Sequence, residues 1–198
     1  MKDEVARAFS MVAEHYDRYM EETGHAQAQR RIARFLSQAE GNSGSVLDVA
    51  TGTGIMLEPF REGVGVDISS SMVREAKRKT PGKEFIVADA HQLPFRDKVF
   101  EASITCLAFL WFDDPEKALK EMRRVAKRTY IVEEEGVPAR KRIAVPEHLK
   151  PFFEAIGKLE REVNIEGLDA YRSSLIHGRI FEADIDGSHK FVVYEVMG

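Results

Sequence analysis

Over the first forty positions, apolar residues recur at helical spacing. Val5, Ala8, Phe9, Val12, Ala13, Tyr16, Tyr19 and Met20 share one face of a first helix, and Ala28, Ile32, Phe35, Leu36 and Ala39 one face of a second. The turn-rich stretch Gly41-Asn42-Ser43-Gly44-Ser45 ends this pair, and the period then changes. Short apolar runs at 46–50, 64–68, 84–88, 100–107 and 129–133 predict strands, separated by helical patterns at 54–61, 69–79 and 115–127. The last helix is well marked, with Asp114 as its cap, Pro115 in its first turn and a stripe of Ala118, Leu119, Met122, Val125 and Ala126. A further helix carrying Leu149, Phe152, Phe153, Ile156, Leu159 and Val163 precedes β-like runs at 179–185 and 190–197, with Asp186-Gly187 as a hairpin signal between them. Alternating β and α units imply a mostly parallel sheet with helices on both faces, here closed by an antiparallel C-terminal strand.

Composition narrows this α/β reading. A chain of 198 residues that is 43% apolar suits one domain with a core of its own. The single cysteine, Cys106, leaves no intrachain disulfide and no cysteine zinc site, and it suits a reducing compartment. With 29 basic and 33 acidic residues, the net charge of −4 carries no global footprint for nucleic acid. The clusters Lys77-Arg78-Lys79 and Arg140-Lys141-Arg142 read as solvated faces. The opening MKDEVARAFSMV has acids at once and no sustained apolar core, so no secretory signal is expected. The longest uncharged run, 103–112, is far short of the ~20 residues of a membrane span. The expectation is a cytoplasmic protein without membrane partners that acts on small molecules rather than nucleic acid.

The densest chemical signal is Val46-Leu47-Asp48-Val49-Ala50-Thr51-Gly52-Thr53-Gly54, a strand that runs into a glycine loop. Glycines there let a ligand approach the backbone closely. Asp67 ends the next strand nineteen residues after Asp48, the separation that sets a carboxylate at the ribose hydroxyls of a nucleoside. A dinucleotide fingerprint needs a third glycine where Leu57 stands, and a pyrophosphate is poorly placed beside Asp48. A cationic ligand fits better, and S-adenosylmethionine carries a sulfonium and an ammonium where NAD carries phosphates.

Through these residues the chain resembles the class I S-adenosylmethionine-dependent methyltransferases, of the type 11 small-molecule group that includes the ubiquinone and menaquinone C-methyltransferases. The likeness runs from about Ala13 to Lys127 through VLDVATGTG, GVDISSSMVREAK, VADAHQLPFRDKVFEASI and DDPEKALKEMRRVAK. It implies a Rossmann-like seven-stranded sheet in the order 3-2-1-4-5-7-6 and S-adenosylmethionine as cofactor. By the same resemblance Asp48, Ala50, Thr51, Gly52 and Gly54 surround the methionine part, Asp67 holds the ribose, and Ile68 and Met72 pack on the adenine. Asp89 then accepts from the adenine amino group beside the Ala90 backbone, and Cys106 and Tyr16 complete the cofactor site. Ala50 stands where many members have glycine, Phe100-Glu101 replaces a commoner Phe-Asp, and Arg128-Thr129 follows Lys127 where members often show Pro-Gly-Gly.

The acceptor side is placed at Cys106 to Trp111 and Glu133 to Glu135, outside the carboxyl ends of the strands. His15-Tyr16-Asp17-Arg18-Tyr19 resembles the family's lid, and Trp111 is a candidate wall. His91, His148 and His177 are candidate bases, and no cluster of His, Asp or Glu implies a metal. The expected organisation is one methyltransferase domain over 1–198, with a helical lid at 1–40, a cofactor core at 45–135 and a C-terminal helix and hairpin on the substrate side. The expected reaction is methyl transfer to an O, N or C nucleophile of a small molecule. An NAD-dependent oxidoreductase and a catalytically silent cofactor-binding subunit are the alternatives.

Overall fold

The computed structural model describes residues 2–41, 44–136, 149–160, 176–185, 187 and 189–196. Asn42, Ser43, Arg140 to Arg142, His148, Val163, Asp186 and Met197 lie outside them. The N-terminal segment forms α1 (Lys2–Val12), α2 (Tyr16–Glu22) and α3 (His25–Ala39). The single helix expected over 5–20 is therefore broken: the His15 N–H donates to the Val12 carbonyl at 2.8 Å in a turn that redirects the chain. The apolar period survives the break because Val5, Ala8, Val12 and Ala13 enter one cluster, with Phe9, Tyr16 and Tyr19 packed against it. Periodicity reports which residues are buried, not whether the helix is continuous.

The sheet comprises β1 (Val46–Val49), β2 (Gly63–Asp67), β3 (Glu84–Val87), β4 (Phe100–Cys106), β5 (Ala126–Gly136), β6 (Ile176–Asp184) and β7 (His189–Val196). Their order is β3-β2-β1-β4-β5-β7-β6, as the resemblance implies. β7 runs antiparallel to both β5 and β6, and the other described pairings are parallel. Gly187 turns the β6–β7 connection at φ +87°, and its N–H donates to the Asp184 carboxylate. All four residues of β1 are buried, as expected of a central parallel strand covered on both faces. Val46 joins the core that holds Ile32 and Leu36 of α3, while Leu47 and Val49 join the one against α5 (Pro115–Val125). α4 (Ser70–Lys79) and α6 (Lys150–Glu160) complete the helices described. None of them is long and apolar enough to cross a membrane.

Two expected boundaries move, each for a local reason. The helix expected at 54–61 is only a 3₁₀ turn, Ile55–Leu57. Pro59 has no N–H to extend it, and the buried Met56, Leu57 and Phe60 hold the chain against the core instead. At the other site α5 stops at Val125, and β5 begins at once with Ala126, which is extended and fully buried. The Lys98 ammonium donates to the carbonyls of Arg123 and Ala126, capping the helix end from outside. A helix that passes straight into a strand needs no glycine turn, which accounts for Arg128-Thr129.

Those two positions have work of their own. Arg128 donates to Oε2 of Glu40 at 2.6 Å, and the Tyr130 hydroxyl to Oε1 at 2.7 Å, so the end of α3 is fastened to β5. The Glu40 side chain is wholly buried. Tyr130→Phe removes one donor from a buried carboxylate and is expected to cost about 1–3 kcal/mol in urea unfolding. An unchanged midpoint would show that Glu40 does not depend on Tyr130.

Candidate functional site

β1 ends in a loop with three left-handed residues, Ala50 at φ +59°, Gly52 at +54° and Gly54 at +86°. Ala50 carries a strain of roughly 1–2 kcal/mol that glycine would avoid. The two glycines serve different ends. A Cβ built on Gly54 would lie 2.9 Å from the Phe85 ring, so Gly54 lets the loop close onto the core. A Cβ on Gly52 would meet nothing within 4 Å, so the face of Gly52 is open.

Asp67, at the end of β2, holds this loop in shape. Its Oδ2 accepts from the Gly52 N–H and its Oδ1 from the Ser69 N–H, both at 2.8 Å. Ser69 in turn caps α4, its hydroxyl accepting from the Met72 N–H. Burial pushes the Asp67 carboxyl above its usual range, against the backbone donors of Ser69, Gly52 and Ile68. Asp48 lies behind the loop, 1% exposed, with Oδ2 accepting from the Thr51 hydroxyl at 2.6 Å. Its Oδ1 has no hydrogen-bond partner among the described residues. Burial pushes its pKa up to about 7, opposed by the Thr51 hydroxyl and aided by the charge of Asp67.

A cavity of about 280 Å³ opens above the loop. Of the expected site residues, Ala50, Gly52, Asp67, Ile68, Met72, Asp89, Ala90, Cys106 and Tyr16 line it. Asp48, Thr51 and Gly54 do not reach its wall, and shape it from behind. Trp111 and Glu134 line its other side, with Phe152 and Ile156 of α6. The cover consists of Lys2, Val5, Phe9, Tyr16, Tyr19 and Met20 from α1 and α2. Polar contacts latch it down on this side: Asp17 accepts from the Thr53 hydroxyl at 2.5 Å and pairs with Lys79, and Ser10 bonds Ser69 at 2.8 Å. Lys79 was expected on a solvated face; in the structure it fastens the cover.

Asp89 already has partners. Desolvation works against its charge, yet the His91 N–H, the Lys2 ammonium and the His91 ring together hold its pKa down to about 2. His91 Nδ1 lies 2.6 Å from Asp89 Oδ1, and its Nε2 accepts from the Asp114 N–H at 3.2 Å. An acceptor Nε2 makes Nδ1 the donor, so this histidine is a strut between β3 and the α5 cap. In this arrangement both ring nitrogens of His91 are engaged. His148 lies outside the described residues, as does the side chain of His177.

Sequence reasoning passed over His25, Glu134 and His189, which the fold gathers into one group. They come from the start of α3, the end of β5 and the start of β7, and His25 and Glu134 are 109 positions apart. No local spacing announces such a group; only the acidic run Glu133 to Glu135 marked its place.

Asp48 makes the ligand-free protein sensitive to pH. With a folded pKa of about 7 against an unfolded value of about 3.9, the folded state holds a proton that the unfolded state releases across that interval. Its contribution is fully favourable below about pH 4 and is lost as pH rises towards 7. Asp48→Asn is expected to melt with a shallower fall between pH 5 and 7 than the native protein. Equal slopes would return Asp48 to an ordinary carboxylate.

Residues 47–130 match a family described as a methyltransferase domain. A demethylmenaquinone methyltransferase of Thermotoga maritima is 37% identical over 136 residues, 64% of this chain and 58% of that protein. A malonyl-[acyl-carrier protein] O-methyltransferase of Pseudescherichia vulneris is 33% identical over 132 residues, 64% of this chain and 50% of that one. The chain thus spans little more than half the length of these relatives. A solved SAM-dependent methyltransferase of Thermotoga maritima shares the fold, with a TM-score of 0.63 at 18% identity over 95% of this chain and 97% of that one.

Proposed function

We propose that this chain, whose residues 47–130 match a family described as a methyltransferase domain, is a class I S-adenosylmethionine-dependent methyltransferase that transfers a methyl group from that cofactor to a small-molecule acceptor. The observation that carries this is the Asp67 clamp beside the open face of Gly52. The Asp67 oxygens, with about four acceptor sites between them, take their backbone bonds and keep room for a hydroxyl, and the missing Cβ of Gly52 leaves a cradle for a ligand. Behind them the unpartnered Asp48 oxygen favours a cationic ligand over an anionic one. The residues present therefore fit S-adenosylmethionine. The dinucleotide reading lacks its main support, since only a 3₁₀ turn follows the glycine loop, where that motif opens a long helix.

The cofactor brings a methyl group already activated by its sulfonium, so the protein's task is alignment and exclusion of water. Asp67 and the loop fix one end of the ligand. Phe9, Tyr16, Trp111 and Phe152 line the cavity, and this aromatic wall suits an acceptor with an apolar, planar body. Burial raises the pKa of Tyr16 and of Cys106, so both stay protonated at neutral pH and neither serves as a base. The nucleophile is an O, N or C atom of the acceptor, brought into line by shape. A volume of about 280 Å³ lies just under the ~300–1,000 Å³ of ordinary small-ligand sites, so cofactor and acceptor together require the α1–α2 cover to shift.

Asp67→Ala is expected to weaken S-adenosylhomocysteine binding at least about tenfold in calorimetry, since a bond to a charged group contributes ~1.5–3 kcal/mol. Unchanged affinity would remove the ribose assignment. Proteolysis within α1 and α2 should slow when S-adenosylhomocysteine is added, and Asp17→Ala should speed it in the free protein. Equal cleavage rates in all three samples would make the cover a fixed part of the core.

A further inference from the structure

His25, Glu134 and His189 offer ligand atoms that all lie within 4.8 Å of one another. His25 Nε2 is 3.0 Å from Glu134 Oε1, and His189 Nε2 is in close contact with the same oxygen. The hydrogen bonds around His25 fix its tautomer. The Thr23 hydroxyl donates to the Tyr19 carbonyl at 2.9 Å, so towards His25 Nδ1, 2.8 Å away, it acts as acceptor. Nδ1 then carries the proton, and in the neutral ring the Nε2 lone pair faces the carboxylate. Ligating histidines are oriented in just this way, with the outer N–H donated to a second group and the inner nitrogen free.

His189 provides the independent observation. Its side chain is only 4% exposed, and its buried Nε2, which makes no hydrogen bond of ordinary geometry among the described residues, is aimed at the same Glu134 oxygen. Two imidazole nitrogens converging on one carboxylate oxygen need something positive at the centre. A neutral His189 could bring a proton on Nε2, but His25, whose ring proton sits on Nδ1, could bring one to the carboxylate only as an imidazolium. A single divalent cation satisfies all three ligands with both rings neutral.

We propose that His25, Glu134 and His189 bind a divalent transition-metal ion of the zinc type. Two imidazoles and one carboxylate match the donor set of zinc and its neighbours better than that of magnesium or calcium, which prefer all-oxygen shells. Three protein ligands leave at least one position for water or an exogenous donor. Glu134 also lines the cavity, so the ion stands at its wall, beside the acceptor region. The site is independent of the methyl-transfer reading, because it rests on residues outside the glycine loop.

The test uses the full chain stripped with chelator, dialysed, and titrated with Co²⁺ and then Zn²⁺. Calorimetry should show one equivalent bound, and the Co²⁺ complex should develop visible absorption that Zn²⁺ abolishes. Glu134→Gln and His189→Asn should each weaken binding at least about tenfold, with circular dichroism confirming that each variant is folded. Because His189 is buried, the largely exposed Glu134 carries the test should His189→Asn unfold. Glu135→Gln, a neighbour paired with Arg179, should bind as the native protein does. Addition of imidazole should shift the Co²⁺ spectrum by filling the open position. No bound metal, equal weakening in the Glu135 variant, or native affinity in Glu134→Gln would each overturn the site, and a spectrum indifferent to imidazole would overturn its open position.

Discussion

The carboxylate of Asp67 is the constraint from which the site follows. By accepting from the N–H groups of Gly52 and Ser69, it ties three segments together: the loop after β1, the end of β2 and the capped start of α4. Both partners are backbone atoms, so the clamp depends on conformation more than on side-chain identity. Gly52 must take a left-handed turn to offer its N–H, and the strained Ala50 shows what the loop tolerates to keep that course. Loss of the clamp would free the loop and the helix start together.

A second tier of contacts fastens the helical cover to this frame. Asp17 reaches both Thr53 in the glycine loop and Lys79 on α4, while Ser10 meets Ser69 beside the clamp. Lys2 joins Asp89 on the opposite rim. These polar ties are few and partly exposed, so individually each holds the cover weakly. The apolar contacts are broader: Phe9 packs edge-on against Tyr16, Trp111 and Phe152. The cover is thus aromatic inside and latched at its rim by few polar ties, the arrangement on which the proposed opening for ligands rests.

The central strands were legible in the sequence because strands buried on both faces read as continuous apolar runs, and the glycine loop was legible because it follows such a run directly. Helix continuity was less so. The stripe from Val5 to Met20 is real as burial, yet it spans two helices, and Pro59 outweighed the helical pattern after Gly54. Contacts between distant segments were the hardest to see. Glu40 with Arg128 and Tyr130, Asp17 with Lys79, and His25 with Glu134 and His189 each join residues that no local period relates. Asp89 and His91 add a further case, since their residue types did not announce the bridge they form from the end of β3 to the cap of α5.

The ligand proposed for the clamp is a nucleoside carrying positive charge rather than a pyrophosphate. Calorimetry of the purified chain with S-adenosylhomocysteine, S-adenosylmethionine and NAD⁺ in separate titrations tests this most directly. One equivalent of each adenosyl compound should bind, and NAD⁺ should give no saturable heat. Saturable NAD⁺ binding with neither adenosyl compound bound would contradict the account.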